Sequence, residues 1–190
     1  MPSYRLIYFP QRAKGEPIRM LFALAGVPYQ EKLVDRANEW PEFRKTTPYG
    51  LLPVLEVDGV PLAQSLAIMR YQAAEFGFYG KTNWERAHVD SIAEQSGRNK
   101  NEDREKLYKE FFVPAKEKNF GIFQRILREN GTGYFVGDSL TYADLMVASR
   151  MENLEAQVPD SEKLLDGFPE ILAHRQAVFT DPRLKEYLAN

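Results

Sequence analysis

From Tyr4 to Phe9 polar and apolar positions alternate in a run of aromatic and β-branched residues, which predicts a first strand. The loop Pro10-Gln11-Arg12-Ala13-Lys14-Gly15 follows, and Glu16-Pro17 opens a helix with proline near its first position. Ile18, Leu21, Phe22 and Ala25 recur at helical spacing until Gly26-Val27-Pro28 ends the run. Tyr29 to Val34 predicts a second strand, so the first unit reads as β-α-β with a right-handed parallel crossover. Trp40-Pro41 then starts a short irregular helix.

The stretch from Leu52 to Ser65 reads as strand, Asp58-Gly59 turn, strand and helix start. Pro53 stands at a strand entrance, where proline cannot donate a ladder hydrogen bond. A trans proline beginning an edge strand accounts for it. So does a cis Leu52-Pro53 bond that turns the Leu52 N–H and C=O toward an extended peptide ligand. Ser65 precedes Leu66, Ile68 and Met69 and is placed as a helix N-cap, a position suited to a carboxylate. The helix runs to about Phe76, and the β-α-β then β-β-α order predicts a small α/β sandwich over residues 1–76.

After Gly77-Phe78-Tyr79-Gly80 no strand pattern returns, so residues 77–83 are placed as a linker and 84–190 as an all-α domain. Trp84 to Gln95 is helical by pattern, and Ser96 to Glu105 contains no apolar residue and reads as a solvated loop or a disordered segment. Leu107 to about Leu127 resumes the helical period, with Pro114 a break or kink. Thr141-Tyr142-Ala143-Asp144 forms a capping box with Asp in place of Glu or Gln, opening an apolar helix. Pro169 to Phe179 and Asp181 to Leu188 give two last short helices.

Composition then narrows the chemistry. Of 190 residues 44% are hydrophobic, ample for a packed core, and the net charge of -2 gives no electrostatic footprint for nucleic acid. No window approaches the ~18 apolar residues of a membrane span and the N-terminus lacks a leader pattern, so the expected location is the cytoplasm. With no cysteine there is no disulfide, thiolate metal site or cysteine nucleophile. His88 and His174 lie apart on polar helical segments without a metal motif and are read as surface or interdomain packing. Gly137-Asp138-Ser139-Leu140 matches the letters of a hydrolase motif, but Ser139 directly before a capping box is explained as turn chemistry. Tyr8 is the remaining candidate, a phenol at a strand end beside a glycine-containing loop and a helix start. In a thioredoxin-like half-domain without cysteine, thiol chemistry requires that the ligand bring the sulfur. A phenol donating to that sulfur favours thiolate over thiol.

Tyr8, Trp40, Leu52-Pro53, Gln64-Ser65-Leu66-Ala67-Ile68 and the run Val136 to Asp144 resemble a cytosolic glutathione transferase of the sigma class or its nematode relatives, nearly end to end. The resemblance implies a thioredoxin-like N-terminal domain, a helical C-terminal domain and a homodimer. It implies conjugation of glutathione, as co-substrate and without a metal or other cofactor, to small hydrophobic electrophiles in detoxification. Prostaglandin isomerase or peroxidase activity occurs in such proteins. Tyr8 would hydrogen-bond the glutathione sulfur. Leu52, before a cis Pro53, would pair with the cysteinyl part. Gln64 and Ser65 would hold the γ-glutamyl end, and Trp40 and Arg44 the glycyl end. Trp40 also reads as packing beneath its helix. Lys14 stands where an arginine is usual, and Phe9 with Lys14 would border the electrophile pocket, to which the helical domain contributes.

One departure bears on function. Between Gln95 and Lys106 the chain is short by part of two helices that in the family wall the electrophile pocket. That leaves a second expectation, a non-catalytic binding or lens-type structural relative that keeps the fold and has lost the pocket.

Overall fold

The computed structural model describes residues 2–96, 113–155 and 164–189, in two compact units: Met1–Phe78 with Pro182–Asn190, and Tyr79–Asp181.

The first unit holds a four-stranded sheet, β1 (Tyr4–Tyr8), β2 (Gln30–Leu33), β3 (Val54–Val57) and β4 (Val60–Ala63), in the order β2-β1-β3-β4. β1 pairs parallel with β2 and antiparallel with β3, and β3 pairs antiparallel with β4. The parallel pair is the one joined through a helix, α1 (Glu16–Ala25), as crossover geometry requires. β1 is central, so consecutive residues Leu6 and Ile7 are both buried. α1 packs against α3 (Ser65–Phe76), and the Gln72 amide donates to the Ile18 carbonyl at 3.3 Å between them. The Asp58-Gly59 turn takes φ of 51° and 81°, left-handed at both central positions, the conformation that matches strand twist and that this dipeptide favours. β1 ends one residue earlier than the alternation predicts, and β2 starts one residue later and ends one earlier. Tyr29 instead stacks on Phe22 of α1, centroids 4.3 Å apart. A short 3-10 turn (Pro182–Leu184) and α8 (Lys185–Leu188) close this unit, with Leu184 wholly buried.

The second unit contains α4 (Asn83–Ser96), α5 (Val113–Asn130), α6 (Tyr142–Glu155) and α7 (Pro169–Phe179). α4 packs on α6, and α7 on both α5 and α6, around Phe123, Phe135, Tyr142, Leu145 and Ile171. The capping box at Thr141 forms, with Oδ2 of Asp144 accepting from the Thr141 amide at 2.8 Å and its hydroxyl at 2.7 Å. His174 is corrected from surface or interdomain packing to core. It is 3% exposed and bound to Asp144, because α7 turns this position inward against α6. His88 is half-buried and Ser139 lies on an exposed bend. The readings of a polar loop at Ser96 to Glu105 and of a helix beginning at Leu107 fall, beyond Ser96, outside the described residues. Where α5 is described it runs without interruption from Val113 to Asn130, three residues past the expected end.

Candidate active site

Strand register gathers the site. Ile7 pairs with Val54, and Val54 pairs with Ala63, so the C-terminal end of β1, the start of β3 and the end of β4 share one edge of the sheet. Tyr8 follows Ile7, Leu52-Pro53 precedes Val54, and Gln64-Ser65 follows Ala63. Three segments far apart in sequence thus meet at one edge. Beneath them Ile7, Tyr8, Phe9, Val34, Val54 and Ala63 form a buried cluster, with Trp40, Phe43 and Leu52 packed against it.

Tyr8 is 4% exposed, and its backbone carbonyl accepts from the Val34 amide at 2.8 Å. The Gln11 side-chain amide donates to the phenol oxygen over a long 3.4 Å, which leaves the phenol proton to be donated elsewhere. The aromatic face continues through Phe9, whose ring centroid lies 5.7 Å from that of Tyr8 and 5.3 Å, edge-on, from that of Trp40. The Arg36 guanidinium covers Phe9 at 4.1 Å.

Trp40 is placed by the segment before it. Oδ1 of Asp35 accepts from the Ala37 and Asn38 amides, both at 2.8 Å, and the Asp35 carbonyl accepts from the Trp40 amide at 2.9 Å. The Asn38 backbone and side-chain bonds, with that of Ala37, hold the Asp35 carboxyl below its ordinary pKa. This turn starts α2 (Trp40–Phe43) with the indole against the cluster.

The Leu52-Pro53 peptide bond is cis. Pro53 is buried and Leu52 half-buried, just beyond the last paired residue of β3. At α3 the expected cap is corrected. Gln64, not Ser65, is the N-cap, at φ 74° and ψ 112° and without a side-chain cap bond, and Ser65 is the first helical residue. The first helical bond runs from the Ile68 amide to the Gln64 carbonyl at 2.9 Å, so the amides of Ser65, Leu66 and Ala67 precede the helix ladder and have no acceptor within it. Their polarity suits an anion, as does the half-buried Ser65 hydroxyl among them.

Pro53, Gln64 and Ser65 flank the cluster in sequence, and two further predicted residues are exposed outside it. Lys14 is exposed on the 3-10 turn Ala13–Gly15, and Arg44 is exposed at the start of the 3-10 turn Arg44–Thr46. Phe9 is in the cluster and largely committed to packing.

Sequence reasoning missed the residues behind Tyr8. A Cβ on Gly15 would lie 2.5 Å from Cδ1 of Tyr8, a contact real side chains do not make, so glycine is required for this loop to lie on the ring. Arg19 and Glu16 are buried beside it. The available signal was a lone arginine inside the apolar run Ile18 to Leu24. Among the described residues no three His, Asp or Glu side chains converge as metal ligands, and no helix is long and apolar enough to cross a membrane.

The pattern described as "Glutathione S-transferase, N-terminal domain" matches residues 3–74, and "Glutathione S-transferase, C-terminal domain" matches residues 86–190. The chain is 40% identical to a "Probable glutathione S-transferase 6" of Caenorhabditis elegans, covering 100% of this chain and 97% of that protein. That alignment spans 204 positions against 190 residues here, so this chain is shorter than its relative within the match. A Nu-class GST structure from Haemonchus contortus superposes with a TM-score of 0.89 at 44% identity, covering 100% of this chain and 97% of that one. The structure described as monomeric Na-GST-3, from the hookworm Necator americanus, gives 0.88 at 42% identity, covering 98% and 96%.

Proposed function

The chain belongs to the glutathione S-transferase family, and from that premise we propose that Tyr8 activates the glutathione thiol for attack on small hydrophobic electrophiles. The observation that carries this reading is the register that brings Tyr8, Leu52-Pro53 and Gln64-Ser65 to one sheet edge. Glutathione is an extended tripeptide with a carboxylate at each end and a thiol between. Its γ-glutamyl carboxylate is matched by the N-terminal amides of α3 and the Ser65 hydroxyl, with Gln64 alongside. Its cysteinyl backbone is matched by Leu52, and its glycyl carboxylate by the Trp40 indole and the Arg44 guanidinium. Held at its two ends in this way, the tripeptide would present its sulfur to the Tyr8 hydroxyl.

A phenol O–H donated to the sulfur stabilises the thiolate and lowers a thiol pKa that starts near ~8.5. The sulfur lone pair then forms a bond to the electrophilic carbon. The electron pair of the broken bond leaves with the leaving group or, in an addition, passes to the acceptor, and the thiol proton has already gone to solvent. In this reading Phe9 and Lys14 would border the acceptor site. A homodimer is part of the same reading, and the exposed Tyr49 and Leu51, two residues apart in the loop before Pro53, are apolar side chains available to such a contact. A cytoplasmic role in detoxification accords with this chemistry.

Tyr8→Phe removes the hydroxyl and little else. Its conjugation rate is expected to fall about 10-fold or more while retention on immobilised glutathione persists. Full activity in that variant overturns the assignment. Wild-type protein that is retained but turns over no electrophile supports the non-catalytic alternative.

A further inference from the structure

Arg19 is 8% exposed, a charge set in an apolar stretch of α1. Its Nε and Nη2 each lie 2.7 Å from Oε1 of Glu31 on β2. Its Nη1 donates to the Gln11 carbonyl at 3.0 Å and lies 3.5 Å from Oε2 of Glu16. Burial alone lowers the Arg19 pKa, and the hydrogen bond and charge of Glu31 more than offset it, so the group stays firmly charged. Glu16, 2% exposed, is also met by Nε of Arg12 at 3.8 Å and by a hydrogen bond with Tyr187, whose phenol is pushed up by burial first and by Glu16 second.

Two routes run from this guanidinium to Tyr8. The bond to the Gln11 carbonyl fixes the residue whose side-chain amide donates to the phenol oxygen at 3.4 Å. The second is steric. A Cβ on Gly15 would meet Cδ1 of Tyr8 at 2.5 Å and Nη1 of Arg19 at 3.2 Å, so the glycine is held between ring and guanidinium. The Arg19 carbon itself stands 5.8 Å from the Tyr8 ring centroid. A fork of donors reaching two carboxylates and a carbonyl at once is a task for arginine, because an ammonium has no fixed planar geometry.

We propose that Arg19 is the positioning residue of Tyr8, holding the Gln11–Gly15 loop against the ring so that the phenol proton faces the sulfur. The inference rests on the reading of Tyr8 as thiol activator and adds the part that sets its aim. It assigns Glu31 and Glu16 the role of holding the guanidinium still.

The test follows the ultraviolet absorbance of enzyme-bound glutathione thiolate against pH for wild type, Arg19→Lys, Tyr8→Phe and the double variant. Arg19→Lys is expected to raise the thiolate midpoint by about one pH unit and to lower kcat roughly 10-fold, with the glutathione KM little changed. In the Tyr8→Phe background it should add almost nothing, since both changes act on one unit. An unchanged midpoint with only reduced amplitude shows a merely structural role and overturns the proposal. So does an effect that adds fully to that of Tyr8→Phe. Wild-type behaviour of Tyr8→Phe alone overturns the site reading and this inference with it, and is recognised because that variant leaves Arg19 intact. If Arg19→Lys does not fold, Gly15→Ala, which displaces the ring directly, and Glu31→Gln, which frees the guanidinium, are each expected to raise the same midpoint, and a wild-type midpoint in both overturns the proposal.

Discussion

Nε2 of His174 lies 2.8 Å from Oδ1 of Asp144, and both side chains are sealed from solvent. The same Asp144 oxygen accepts from the Phe135 amide at 2.9 Å, and the second oxygen accepts the Thr141 amide and hydroxyl. One carboxylate therefore joins the start of α6, the loop before it and α7. The Phe135 ring packs on the imidazole at 4.6 Å, closing this junction against water.

Removing that carboxylate should be among the most destabilising single changes in the second unit. Asp144→Ala leaves the Thr141 and Phe135 amides and the imidazole without their acceptor, at about 1–3 kcal/mol for each buried unmet group. A urea titration is expected to show a loss of at least ~3 kcal/mol, with Asp144→Asn intermediate because it keeps one acceptor oxygen. Asp138→Asn serves as control, since its ion pair with Lys81 is exposed on both sides and should leave the midpoint nearly unchanged.

A second capping box starts α4. The Thr82 hydroxyl accepts from the Glu85 amide at 3.1 Å, while Oε2 of Glu85 accepts from the Thr82 and Lys81 amides at 3.0 and 2.6 Å. Thr82→Ala is expected to cost about 1 kcal/mol, read as a lowered urea midpoint with unchanged slope. No change in midpoint would show that Glu85 alone suffices as a cap.

Tyr71 links stability to alkaline pH. Burial first, then a hydrogen bond with Tyr4, pushes its phenol up to about 12 from an ordinary value of 10.0. The unfolded chain therefore ionises at lower pH than the folded one. Its contribution is complete below about pH 10 and is lost as pH rises toward about 12. Tyr71→Phe should flatten the fall in thermal midpoint across that window, and an unaltered slope would assign the alkaline loss to other groups.

The pattern of apolar positions carried most of the fold because local period and turn chemistry agreed. The Asp58-Gly59 hairpin, the proline-started α1 and the Thr141 box each sit where their residues place them. What was illegible depended on long-range packing. His174 lies on a helix with little one-sided apolar patterning, so nothing local distinguished an inward imidazole from an exposed one. The Thr82 box was equally readable as letters but precedes a polar helix, where an apolar run does not announce a start. At the site, Tyr8 reads as a candidate from its place at a strand end, whereas the cap position assigned to Ser65 falls one residue earlier, on Gln64, because a positive φ there ends the strand before the helix begins. Arg19 and Gly15 were missed because their importance lies in what the fold brings against them.

Gln64 carries a local conflict between conformation and residue type. A side chain at φ 74° and ψ 112° costs on the order of 1–3 kcal/mol, and no side-chain cap bond offsets it. A glycine there would adopt the same backbone without that strain, so Gln64→Gly is expected to leave stability level or to raise it by up to about 1 kcal/mol. If the strain aims the amide at the γ-glutamyl end of glutathione, the same variant should bind glutathione roughly 10-fold more weakly, by about 1.4 kcal/mol. Calorimetric titration alongside a melting curve reads both quantities. Weaker binding with undiminished stability is the outcome of a conformation kept for function, and equal binding would mean that the Gln64 side chain holds no part of the ligand.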